Sequence, residues 1–251
     1  MTYALRNSAF SLVELSIVLV ILGLLVGGVL SGQSLIRASE LRSISTEYAR
    51  HTTAVRAFRD KYFALPGDIT NATSFWGVDP TCLSGFDPQP LTCNGNGDGR
   101  IAYSTTYEEY RAWQQLANAG LIEGVYDGVS DGYDCSWSER SCPDSKLGKG
   151  QWWLGYFDTT GYSAARSFTT SSAYGNSFAI FDRSDNTNLM TPAEVWNIDT
   201  KIDDGKPASG KLLSFGTLAS CTDTAATTNL AANYLLTSTS RVCSLYFLPQ
   251  F

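Results

Sequence analysis

Residues 10–30 read FSLVELSIVLVILGLLVGGVL, an apolar run broken by one charge, Glu14. A helix of that length rises about 30 Å, the thickness of a bilayer's hydrocarbon core. Beyond Gly32 apolar positions recur at Leu41, Ile44, Tyr48, His51, Val55, Phe58 and Tyr62. Their spacings alternate between three and four, the stripe of an amphipathic helix, and Pro66-Gly67 marks its end. The pattern predicts one helix of roughly 55 residues, apolar all round over 10–30 and one-sided over 31–64. His51 is the only histidine and falls on the apolar stripe, which predicts a packed core residue.

After Ala64 the texture changes to Gly, Asn, Asp, Ser and Thr loops around short strand-like runs rich in aromatic and aliphatic residues. Strands are predicted at 152–157, 178–181, 211–215 and 242–248. Thr106 with Glu109 reads as a capping box opening a helix that Gly120 stops; Thr191, Pro192 and Glu194 open a second. Trp113 lies on the first of these helices and is predicted core. Trp152 and Trp153 are adjacent, so in a strand they face opposite ways; both are expected in the core, with one able to meet a neighbour or ligand.

At 251 residues, a hydrophobic fraction of 43 % and a mean hydropathy of −0.09, the chain suits one large domain with a membrane segment. Its net charge is −6, and losing Arg6 would lower it by one. That balance excludes a nucleic-acid backbone as the main partner. Cations concentrate between residues 37 and 61, so the acidic surplus belongs to the later chain. The six cysteines, Cys82, Cys93, Cys135, Cys142, Cys221 and Cys243, include no C-x-x-C, and one histidine assembles no common zinc pattern. Disulfides in an oxidising compartment are expected. Fifteen pairings are open; easy closure of short loops favours 82–93, 135–142 and 221–243.

A cleaved secretory signal would also start apolar. The run is long for one, however, and Glu14 sits inside it with no cationic neighbour. A carboxylate at membrane depth costs roughly 2.5–3.5 kcal/mol and needs a partner or a function. A cut between Ala9 and Phe10 would create an ammonium four residues from Glu14. Residues 9–15, AFSLVEL, with the apolar run behind them, resemble the prepilin signal of type IV pilins and type II secretion pseudopilins. The resemblance implies that a membrane peptidase removes the leader 1–9, with Ala9 at the usual Gly position, and methylates Phe10. It also implies that Glu14 pairs with the N-terminus of a neighbouring subunit. The implied fold is α+β: a long N-terminal helix packed on a small antiparallel sheet, with loop insertions and disulfides in a head over 65–251. The pair Cys221…Cys243 resembles the C-terminal disulfide loop of many pilins.

Two segments look like chemistry. Residues 94–101, NGNGDGRI, follow the opening of a calcium loop, with oxygens at alternate positions and glycine at the sixth. Asn94, Asn96 and Asp98 would offer side chains and Arg100 its carbonyl. Thr105 stands where a bidentate Glu is usual, so Glu108 or Glu109 would complete the set. Residues 198–205, IDTKIDDG, place Asp199, Asp203 and Asp204 together, which repel unless solvated or bound to a cation; this is a possible second metal site. The alternatives are a glycine-rich turn and a solvated acidic turn. Calcium-stabilised heads occur among pseudopilins, so the resemblance admits either loop.

A pilus subunit, a secretion pseudopilin and a membrane-tethered enzyme or carbohydrate-binding module are the competing functions. His51 on a core stripe leaves no Ser/His/Asp or Cys/His arrangement, so no enzyme is expected. The expected partners are further copies, other pilin-like subunits and the prepilin peptidase. The expected location is the inner membrane before assembly, then an extracellular filament, or the periplasm for a pseudopilin.

Overall fold

Helix α1 spans Leu12–Tyr62, and the chain divides into two compact units, Met1–Glu40 and Leu41–Phe251. The computed structural model describes residues 11–79, 82, 91–102, 107–128, 141–157, 168, 174–182, 188–248 and 251. The leader 1–9, Phe10, Thr105, Thr106 and Cys135 lie outside them.

In the first unit the large apolar side chains of α1 from Leu12 to Ile36 are exposed. Within α1 an 18-residue window reaches a mean hydropathy of 2.6 with no burial, enough by length and composition to cross a membrane. Arg37 and Glu40, one turn apart, pair at 3.2 Å.

In the second unit α1 behaves as its stripe dictates: Ile44, His51, Val55 and Phe58 are buried, and Leu41, Tyr48 and Tyr62 pack beside them. The helix stops before Pro66. Phe63 turns left-handed at φ 54° and donates its N–H to Arg59 O at 2.8 Å, closing the last turn. Then follow α2 (Thr73–Trp76), α3 (Glu108–Asn118), β1 (Gly150–Phe157), β2 (Gly175–Asp182), α4 (Pro192–Ile202), β3 (Leu212–Gly216), α5 (Leu218–Cys221) and β4 (Cys243–Phe247). The strands form one antiparallel sheet in the order β1-β2-β4-β3, so the last strand enters between β2 and β3. This is the α+β class.

Period-two alternation splits the sheet into two apolar faces. Trp152, Leu154, Phe178, Ile180, Leu212, Leu245 and Phe247 join the core that includes α1. Tyr48 meets Phe247 at 4.7 Å between ring centroids, and His51 meets Trp152 at 5.4 Å. The opposite face carries Phe157, Ala179, Leu213, Phe215 and Tyr246, with Trp153 and Phe181 packed against them. Trp152 and Trp153 therefore both pack, on opposite faces, and Trp113 is fully buried.

Glu47 ties α1 to the β1 edge. Its carboxylate accepts from Ser145 Oγ (2.6 Å), Lys146 N (3.0 Å) and Trp152 Nε1 (2.8 Å). Burial pushes its pKa up, but these bonds together with Ser43 outweigh it and hold the group below its ordinary value.

The caps divide. At α4 Thr191 Oγ1 accepts from Glu194 N, and Glu194 Oε2 accepts from Thr191 N, a full capping box with Pro192 behind it. Helix α3 opens one residue after the predicted Thr106, which itself lies outside the described residues. Its N-cap is Tyr107, in a left-handed conformation and without a side-chain cap. Glu108 instead turns its carboxylate to the preceding loop, and Glu109 is buried. The α3 C-terminus closes as a Schellman motif, Leu121 N donating to Leu116 O and Gly120 N to Ala117 O. Disulfides join Cys82 to Cys93 and Cys221 to Cys243. Cys142 is also disulfide-bonded, and its expected partner, Cys135, is outside the described residues.

Candidate functional site

The N-terminus of α1 holds the first candidate, Glu14. Its Oε2 accepts from Ser11 N at 2.9 Å, while Ser11 Oγ accepts from Val13 N at 3.3 Å. Ser11 Oγ thus caps α1 at Val13 N, and Glu14 returns a bond to Ser11 N, satisfying helix N–H groups that lipid could not. The negative charge also suits the positive N-terminal end of the helix macrodipole.

The loop 94–102 folds around two carboxylates, one of which the sequence reading missed. Asp68 Oδ1 accepts from Gly97 N (2.7 Å) and Asp98 N (3.0 Å), and Oδ2 from Gly99 N (3.0 Å). Glu108 accepts from Asn96 N (3.1 Å) and Ala102 N (3.0 Å). The approach is so close that a Cβ on Gly95 would collide with the backbone of Gly67 and Asp68. Asn96 and Asp98 each accept from the N–H two residues on, as Asx turns. Asn94 points elsewhere, accepting from Thr73 N at 2.9 Å to cap α2. The Arg100 guanidinium lies over the Tyr156 ring at 4.7 Å.

Of the six residues expected to form this site, Asp98 and Glu108 converge, and Asp68 joins them. One oxygen from each lies within 4.8 Å of the others. Asn94 and Glu109 stand outside this carboxylate group. Ligand distances of about 2.3–2.6 Å allow a calcium ion to span such a set. Burial pushes the Asp68 and Glu108 pKa values up, with Asp98 adding repulsion to both. A cation would oppose that rise. Only the acid directly after Pro66-Gly67, in a turn, hinted at Asp68; its approach to the loop is tertiary.

The second group is brought together as expected: Asp199, Asp203 and Asp204 place oxygens within 4.8 Å. Asp199 is fully buried on α4 and accepts from Tyr234 Oη (2.8 Å) and Gly205 N (3.2 Å). Burial, with the charges of Asp204 and Asp203, pushes its pKa up to about 7. Asp203 accepts from Lys211 N and Leu212 N, and Asp204 from Ser209 Oγ (2.7 Å), so both also brace the turn into β3.

His51 is set among the rings of Trp113, Trp152 and Phe178, and neither ring nitrogen has a hydrogen bond among the described residues. Burial drives its pKa down to about 3. It is a neutral core residue, unsuited to proton transfer.

Residues 5–30 match the family described as the prokaryotic N-terminal methylation motif. The chain carries the type IV pilin and pseudopilin signature. No curated protein and no solved structure matches it. The matched segment covers the predicted cut and the apolar part of α1, including Glu14. The signature implies membrane anchoring, processing by a prepilin peptidase and assembly with other pilin-like subunits. The α+β head with its disulfides fits a pilin-like fold.

Proposed function

We propose that the chain is a structural subunit of a type IV pilus or pilus-like extracellular filament, assembled by packing of N-terminal helices. The observation that carries this reading is the methylation motif on an apolar helix whose side chains from Leu12 to Ile36 are exposed. Such a surface needs lipid before assembly and other helices after it. Cleavage between Ala9 and Phe10 supplies the ammonium that Glu14 pairs with on a neighbouring subunit. The head, large and disulfide-bonded, favours a pilus subunit over the alternative, a pseudopilin of a type II secretion system. The test is to image surface filaments of the native organism and identify their main protein by mass spectrometry. Filaments lacking this chain, while secretion fails on its deletion, would favour the pseudopilin.

A second reading concerns stability. We propose that calcium binds at Asp68, Asp98 and Glu108, supported by the convergence of their oxygens where burial raises the pKa of two of them. The ion would neutralise the mutual repulsion of buried Asp68 and Glu108 with exposed Asp98. Asp199, Asp203 and Asp204 are the corresponding second position. Calcium titration of the purified chain, followed by melting, tests both.

A further inference from the structure

Among the exposed positions of α1 from 42 to 61, Arg42, Arg50, Arg56, Arg59 and Lys61 are cations and Asp60 is the one acid. Arg42, Arg50, Arg59 and Lys61 form no ion pair among the described residues. Yet acids are plentiful elsewhere. The chain has 24 acidic and 18 basic residues; four of the acids and seven of the basic residues precede position 65, which leaves 20 against 11 beyond it. The fold thus separates a cationic helix face from an acidic head.

The same face is concave. Thr46, Ala49, Arg50, Thr53, Ala57 and Leu121 line an open groove of about 430 Å³. Small side chains leave room for another backbone to approach, and Leu121 adds an apolar contact.

We propose that this face docks the acidic head of a second copy of this chain. A copy brings the complementary charge at the concentration assembly demands, whereas the acidic excess repels nucleic acid and anionic lipid. The inference rests on the filament-subunit reading for its supply of neighbouring copies. It adds a head-to-helix contact, set by charge, to packing of the apolar segments.

The test uses the full chain, as a mixture of ¹⁵N-labelled and unlabelled copies carrying Arg50→Lys or Arg59→Lys, with native Lys61. A carbodiimide joins any amine in contact with a carboxylate. The expected result is light-to-heavy links from these positions to Asp or Glu beyond residue 64. Their yield should fall as salt rises from about 0.05 M to about 1 M, where the screening length shrinks to about 3 Å. Arg50→Glu with Arg59→Glu should weaken association about tenfold, with an unchanged Tm because both positions are exposed. Links confined to single copies, or none in assembled material, would overturn the inference. So would protection of these amines by duplex DNA or anionic vesicles in place of a second copy. Filaments without light-to-heavy links would sink this contact alone; such links without filaments would sink the filament reading alone.

Discussion

The proposed pairing of Glu14 with a neighbouring N-terminus is separable from the bond its carboxylate accepts from Ser11 N on its own helix. Glutamine at the same place also accepts such a bond. Glu14→Gln should therefore keep α1 and membrane insertion but cut filament yield at least about tenfold, equivalent to about 1.4 kcal/mol per subunit. Normal yield, read by shearing and quantifying filaments, would remove the pairing role. His51 and Asp199 give opposite pH dependences. The His51 pKa falls from 6.5 to about 3, so the unfolded chain takes up a proton first and stability is lost as pH falls between those values. His51→Phe should flatten that acid limb in melting curves. The Asp199 pKa rises from 3.8 to about 7, so the folded chain holds its proton longer and stability is lost as pH rises through that window. Asp199→Asn should be more stable than the native chain at pH 8 in chelator, and equal to it near pH 3. A mutant curve parallel to the native one would mean that burial does not perturb this carboxyl.

At the scale of elements, caps and clamps differ in how far their partners lie along the chain. The Thr191 box is local, and Thr191→Ala should cost about 1 kcal/mol in denaturant unfolding. Glu47 instead gathers donors 98 to 105 residues away: Ser145, Lys146 and Trp152. Glu47→Ala would leave the buried Ser145 and Trp152 donors unpaired, each at about 1–3 kcal/mol, so a loss on the order of 3 kcal/mol is expected. A loss below that for Thr191→Ala would mean that water replaces the carboxylate. Strand positions were legible as short aromatic and aliphatic runs between polar loops, and the Thr191 box of α4 and the Gly120 stop as local signals, since each depends on residues close along the chain. The start of α3 was not. Glu108 is drawn away to Asn96 and Ala102, and the helix opens one residue later than a local box would place it.

For the whole molecule, calcium at Asp68, Asp98 and Glu108 should raise stability by roughly 2.7 kcal/mol at 100 times its dissociation constant. Asp98→Ala should abolish the calcium-dependent shift in Tm; a native melting curve indifferent to chelator would leave the loop a turn held by hydrogen bonds. The intact mass of membrane or filament material should correspond to a chain starting at Phe10 with one added methyl group, and a start at Met1 in assembled protein would overturn the processing.

What the sequence alone determined is what repeats at short range or is spelled in contiguous residues. The apolar run, the three-four stripe to Tyr62, the short apolar runs of β1 to β4 and the motif around Glu14 each follow from neighbours along the chain. The Asp199, Asp203 and Asp204 group was legible for the same reason, being six residues of one helix end. Tertiary structure alone decided that Asp68 enters the loop 96–99, that Glu47 is a buried clamp and that β4 lies between β2 and β3. It also decided that Asn94 caps α2 rather than joining the carboxylates. The reason is physical: these depend on backbone N–H groups and packing surfaces brought together across long loops. Residue type records such contacts only as a polar side chain whose partner cannot be read nearby.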